Sequence, residues 1–196
     1  MKESEITVQI FNSFDEVDNI LKNQGYKMIE NYQLNDWYFS KFSEVKDIEY
    51  IKLLNNSFLV RQVIGSEEEV KLLYKKKEVD EFNNVISEEK IKTKIDSLNN
   101  SIDIFKRAGL NNYCIVKNNT YIYKKDAICF AVQLIENLGI FIEYEEDDTM
   151  LNLSEKEKFD KMISVVNSLG LKLGDDYSCK KVYMLFVIKS AVIVCH

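Results

Sequence analysis

The sequence predicts an α+β fold in which an antiparallel eight-stranded sheet, closed or nearly closed into a β-barrel, carries helices packed outside it. Three observations point there. Apolar and polar residues alternate with period two through much of the chain. Serine caps and helix-ending glycines mark three short helices between those runs. Turns such as Lys124-Lys125-Asp126 and Glu136-Asn137 are too short for the crossovers that parallel strands need.

The first run, Glu3 to Phe11, sets Ile6, Val8 and Ile10 on one face and Glu3, Glu5, Thr7 and Gln9 on the other. Ser13 and Glu16 then form a capping box, Val17, Ile20 and Leu21 share a helix face, and Gly25 ends the helix. Strand runs follow at Tyr26 to Phe39, Phe58 to Ile64, Glu68 to Lys76 and Val85 to Ile95. A second helix spans about Leu98 to Ala108, with Ile102, Phe105 and Ala108 inward and Gly109 after it. Three more runs, Tyr113 to Tyr123, Ala127 to Leu134 and Ile140 to Glu146, lead to a helix opened by Ser154 and Glu157. It carries Phe159, Met162, Ile163 and Val166 inward and stops at Gly170. The apolar stretch from Val182 to Cys195 is broken by Lys189, well short of the roughly 20 residues that cross a bilayer, and reads as a buried terminal element. Without proline or a flexible linker, residues 1–189 read as one domain and 190–196 as a C-terminal tail, with two sequence halves meeting near Ser97.

Composition narrows the function. With 46% hydrophobic and 30% charged residues, a chain of 196 residues buries a core without staples. A formal net charge of -6 argues against nucleic acid and anionic membranes as partners, so any phosphate site must be local. Cys114, Cys129, Cys179 and Cys195 show no CxxC spacing and read as reduced thiols of a cytoplasmic protein. His196 is the single histidine, which excludes His-based nucleophile triads and disfavours zinc, and no P-loop occurs.

The charges fall on strands. Alternation puts Glu143 and Glu145 together opposite Ile142 and Tyr144, turns Lys75 away from Tyr74, sets Arg61 between Val60 and Gln62, and places Lys117 after Val116. If helices cover the outside of a curved sheet, the apolar faces lie beneath them and the charged faces line the interior. Carboxylates on such a lining take a hard cation through oxygen ligands, and Arg and Lys contact phosphate oxygens.

In this order the motifs resemble those of the CYTH superfamily of triphosphate tunnel metalloenzymes, which includes class IV adenylyl cyclases and thiamine and inorganic triphosphatases. Glu3-Ser-Glu5-Ile-Thr7 is similar to the family's Glu-x-Glu-x-Lys opening, and Asp36-Trp-Tyr38-Phe39 to its Asp-x-Tyr-Phe strand. Phe58-Leu-Val-Arg61 resembles the Arg-x-Arg strand and Leu72-Leu-Tyr-Lys75 the Thr-x-Lys strand. Ser87-Glu-Glu89, Lys117-Asn-Asn119 and Ala131-Val-Gln133 stand at further motif positions, and Leu138-Gly-x-Phe141-x-Glu143-x-Glu145 is the most specific match.

The resemblance implies that Glu3, Glu5, Glu143 and Glu145 hold one or two divalent ions, Mg²⁺ or Mn²⁺. It implies that Arg61, Lys75 and Lys117 grip a triphosphate or other polyphosphate, with Tyr183 helping to close the site. The expected activity is a metal-dependent triphosphatase acting on thiamine triphosphate, tripolyphosphate or a nucleoside triphosphate, in a monomer or homodimer. An adenylyl cyclase, or a tunnel that binds without turnover, is the alternative. The departures remove cations: Thr7 stands for the signature Lys, Leu59 and Ser87 for Arg, and Asn119 for a third, while Gln133 replaces an Asp. Lys77 and Lys124 are the candidate replacements.

Overall fold

In the computed structural model, residues 2–41, 57–79 and 85–186 are described. In chain order they form β1 (Lys2–Glu3), β2 (Glu5–Ile10), α1 (Phe14–Asn23), β3 (Lys27–Ser40), β4 (Ser57–Ile64), β5 (Glu68–Val79) and β6 (Val85–Ile95). Then come α2 (Leu98–Arg107), β7 (Asn111–Lys125), β8 (Ile128–Ile135), β9 (Gly139–Glu145), a 3-10 turn at Asp148–Met150 and α3 (Glu155–Asn167). Residues 181–186 are helical, the beginning of the terminal apolar stretch, and the expected tail lies outside the described residues.

The strands form one sheet in the order β1-β6-β5-β4-β3-β7-β8-β9-β2. Its first and last members, β1 and β2, follow each other in the chain with Ser4 alone between them, which is the connectivity of a nearly closed sheet. The expected first run therefore divides at Ser4. β1 pairs with β6 while β2 pairs with β9, so the backbone must break its ladder between them. The α+β antiparallel architecture is as the pattern predicts.

The chain forms two compact units, one of Glu3–Tyr32 and Asn118–Lys180, the other of Met1–Lys2, Gln33–Lys117 and Lys181–His196. They do not follow the two sequence halves. β3 and β7, of 14 and 15 residues, each give one end to each unit, so long strands interleave what the sequence lists in series.

In the first unit, Ile6, Val8, Phe130, Val132, Ile142 and Tyr144 form the apolar sheet face, and Val17 and Leu21 of α1 and Met162 and Val166 of α3 pack in the same core. Both helices begin with capping boxes, Ser13 with Glu16 and Ser154 with Glu157, as their sequences predict. The free side of β2 is covered by residues 172–179. Thr7 N–H donates to Tyr177 O at 2.9 Å, Cys179 N–H to Thr7 O at 3.0 Å, and Gly174 N–H to Gln9 O at 2.9 Å. That segment satisfies backbone groups that an edge strand would otherwise expose.

In the second unit, α2 packs through Phe105 against Phe39 and Phe58, with ring centroids 5.1 and 6.1 Å apart. The opposite face of the same strands carries Tyr38, Leu59, Arg61, Leu73 and Lys75. Tyr38, Leu59 and Leu73 on that face are buried, between the charged Arg61 and Lys75.

Candidate functional site

The antiparallel register of β2 and β9 places Glu5 opposite Glu145 and Thr7 opposite Glu143. Because residues two apart on a strand share a face, Glu143 and Glu145 stand side by side and Glu5 faces them across the ladder. One carboxylate oxygen from each of the three lies within 4.8 Å of the other two. Three like charges at that separation repel, and a divalent cation relieves the repulsion. The donor set is all oxygen and anionic, which suits a hard ion such as Mg²⁺ or Mn²⁺ that completes its shell with water or phosphate oxygens. Glu3 is described in the backbone of β1, and its side chain lies outside the described residues.

The register extends this face across β8 and β7, where Glu143 faces Ala131, Gln133 faces Phe141, and Thr120 faces Gln133. Thr7, Thr120 and Gln133 are buried polar residues there. Thr120 Oγ1 donates to Asn118 Oδ1 at 2.6 Å. Lys124 stands opposite Cys129, whose thiol is pushed up by partial burial, pulled down by Lys124, and pushed up again by Glu145 and Glu30. One cation expected as a replacement, Lys124, therefore shares the carboxylate neighbourhood.

The same register separates residues that the motif reading grouped. Asn119 faces Leu134, on the helix-covered side with Tyr121 and Tyr123, whereas Asn118 and Thr120 take the carboxylate side. Lys117, one residue before these pairs, is exposed. A run of polar residues has no apolar alternation to set its phase, and the pairing of Asn118 with Ile135 sets it for the β7–β8 ladder.

The other candidate cations belong to the second unit. Arg61 donates from Nε to Asp36 Oδ1 at 2.7 Å and from a terminal nitrogen to Asp36 Oδ2 at 2.6 Å. This fork on a carboxylate that is 3% exposed fixes the guanidinium plane. Asp36 was quoted in the motif without a role, yet it stands directly across from Arg61. Lys75, half-buried, lies opposite Ser57 and Lys90. Ser57 is paired with the hydroxyl of Tyr113, which burial pushes up to about 12. Between Arg61 and Lys75 on that face lie Leu59 and Leu73, both buried. Tyr183 is in the terminal helical residues and is 39% exposed. Lys76 is exposed, and the side chains of Lys77 and Ser87 lie outside the described residues.

The acidic run after β9 has a structural use. Asp147 accepts from Thr149 N–H at 2.8 Å and from the Tyr144 hydroxyl at 2.7 Å, which caps the 3-10 turn.

An antiparallel sheet with packed helices and an acidic trio at the β2–β9 ladder defines the class, and solved proteins each described as a "putative adenylate cyclase" or "putative adenylyl cyclase" share the fold. No known family profile matches the chain. A Methanocaldococcus jannaschii protein named "Putative adenylate cyclase" is 26% identical over 189 residues, covering 94% of this chain and 97% of that one. A Pyrococcus horikoshii structure superposes with a TM-score of 0.69 at 17% identity, covering 93% of this chain and 98% of the other. A Hippeastrum structure, described as a "putative adenylyl cyclase" with a dominant triphosphatase activity, has a TM-score of 0.61 at 12% identity and covers 96% of both chains. Among the described residues no helix is long and apolar enough to cross a membrane.

Proposed function

We propose that the protein binds a triphosphate through a divalent metal and hydrolyses it, with thiamine triphosphate, inorganic tripolyphosphate or a nucleoside triphosphate as substrate. The observation that carries this reading is the convergence of Glu5, Glu143 and Glu145 within 4.8 Å. The named activity of the Hippeastrum fold neighbour supports it.

Bound there, Mg²⁺ or Mn²⁺ would neutralise phosphate charge and lower the pKa of a water for attack on phosphorus. The three glutamates would hold the cation and, being acceptors only, would accept hydrogen bonds from a water beside it. Gln133 and Thr120 offer neutral donors on the same face. The resemblance assigns Arg61, Lys75, Lys117 and Tyr183 to the phosphate chain, and single substitutions test each separately.

Phosphate release from the three substrates with Mg²⁺ or Mn²⁺ is the direct assay. Glu5→Gln and Glu143→Gln should each lower the rate on the order of a hundredfold, since a metal supplies several kcal/mol of transition-state stabilisation. Release that persists unchanged in both variants would sink the proposal. Mass spectrometry of the ATP reaction separates hydrolysis from cyclisation, which yields cyclic AMP and pyrophosphate.

Binding without turnover is the second reading. It is favoured by Thr7, which is 5% exposed and tied through its backbone to residues 177–179 at the position where the resemblance expects lysine. Thr7→Lys discriminates the two readings, because hydrolysis that begins only in the variant marks the natural protein as a binder.

A further inference from the structure

We propose that the first turn of α3 sets the spacing of the acidic trio, with Glu155 and Lys158 as positioning residues. Glu5 is the first residue of β2 and Glu145 the last of β9, and they form the terminal pair of that ladder. Strand ends fray where nothing ties them. Glu143 needs no tie, because its neighbours Ile142 and Tyr144 are 0% and 1% exposed in the core. Glu5 and Glu145 have such a neighbour on one side only, Ile6 and Tyr144. On the other side stand Ser4 and Glu146, and both are tied to α3.

The Ser4 hydroxyl donates to Glu155 Oε2. Lys158 Nζ lies 2.7 Å from Glu146 Oε2, an oxygen shut off from water, and 3.1 Å from Glu155 Oε1. Glu146 N–H donates in turn to Ser4 O at 2.9 Å, one step beyond the Glu5–Glu145 pair. Ser4, Glu155, Lys158 and Glu146 thus close a ring around the end of the ladder. The attachment of α3 does not depend on that ring, because Met162 and Val166 bury the helix in the core and a capping box satisfies its first turn. What the ring fixes is the separation of carboxylates that repel one another and would otherwise spread. An ion arriving there need not gather them. Without Lys158, the shielded Glu146 carboxylate must turn out to water, and the backbone beside Glu145 moves with it. The inference rests on the reading of the trio as a divalent-metal site and adds what holds the trio at metal-binding separation before the ion arrives.

Calorimetric titration of the full chain with Mn²⁺ tests it. Lys158→Met and Ser4→Ala should each weaken Mn²⁺ binding on the order of tenfold, the low end of the range for residues that hold metal ligands in place. Lys158→Arg, which keeps a cation beside Glu146, should restore most of the affinity. The sign separates positioning from plain electrostatics, because removing a cation from an acidic neighbourhood tightens Mn²⁺ binding when the geometry is unchanged. Lys156 is exposed on the same helix, and Lys156→Met, which removes the same charge, should not weaken binding. Amide hydrogen exchange at Glu146 should quicken in Lys158→Met, and unchanged exchange counts against the tie. Ser4→Ala changes no charge and decides the question should Lys158→Met not fold. Mn²⁺ binding that is unchanged or tighter in either folded variant overturns the positioning role and leaves the metal reading intact. A natural protein that binds no Mn²⁺ overturns both.

Discussion

At the scale of single residues, Arg61 shows how a phosphate-binding candidate can also be structural. Its fork on Asp36 is largely removed from water, with side-chain exposures of 25% and 5%. Taking away one member of such a pair leaves a poorly solvated charge. Asp36→Ala should cost about 2 to 3 kcal/mol, below the range for fully buried pairs because Arg61 keeps some solvent. Urea denaturation checks this, and Asp36→Ala/Arg61→Met should recover part of the loss. A single-variant cost below about 0.5 kcal/mol would mean the pair contributes little. Asp18 and Asp147 make a pH argument. Burial raises each carboxyl, but hydrogen bonds outweigh it, from Lys22 and Tyr123 on Asp18 and from Thr149 and Tyr144 on Asp147, so both end below the ordinary 3.8. A depressed folded value favours the ionised fold, so this stability is complete above the unfolded value and drains away as pH falls through the folded one. The urea midpoint should therefore drop as pH goes below about 4, and Asp18→Asn/Asp147→Asn should flatten that drop.

At the scale of elements, β4 and β5 combine an apolar centre with charged ends on one face. Leu59 is fully buried where the resemblance expects an arginine. Leu59→Arg should destabilise the protein by about 3 kcal/mol or more, since a charge replaces packed apolar volume. Leu59→Met should cost less than about 1.5 kcal/mol. If the arginine position still faces a phosphate site, tripolyphosphate should raise the melting temperature of Leu59→Arg more than that of the natural protein. An equal rise in both would show that this row does not meet the ligand. The helices were easier to anticipate than the strand phases. Ser13 with Glu16 and Ser154 with Glu157 are local signals, satisfied within one turn. The phase of β7 is different: Lys117, Asn118, Asn119 and Thr120 are all polar, and nothing within the strand says which side Asn118 takes.

At the scale of the whole molecule, a ligand that binds only the folded protein stabilises it by linkage. With Mn²⁺ and tripolyphosphate at about a hundred times the dissociation constant, the gain should be about 2.7 kcal/mol. It should vanish in Glu5→Gln/Glu143→Gln; a gain retained in that variant would place the ligand away from the acidic trio. By itself the sequence determined the α+β class, the three capped helices, and the faces of Ile6, Val8, Glu143 and Glu145, because caps and short-period alternation act over a few residues. It did not reveal that β1 and β2 part at Ser4 to pair with different strands, that Asp36 engages Arg61, or that Ser4 and Glu146 are tied to α3. Those facts belong to the tertiary structure. Cross-strand neighbours are set by register between segments far apart in sequence, and a one-residue shift of register exchanges every side chain between the two faces of a sheet.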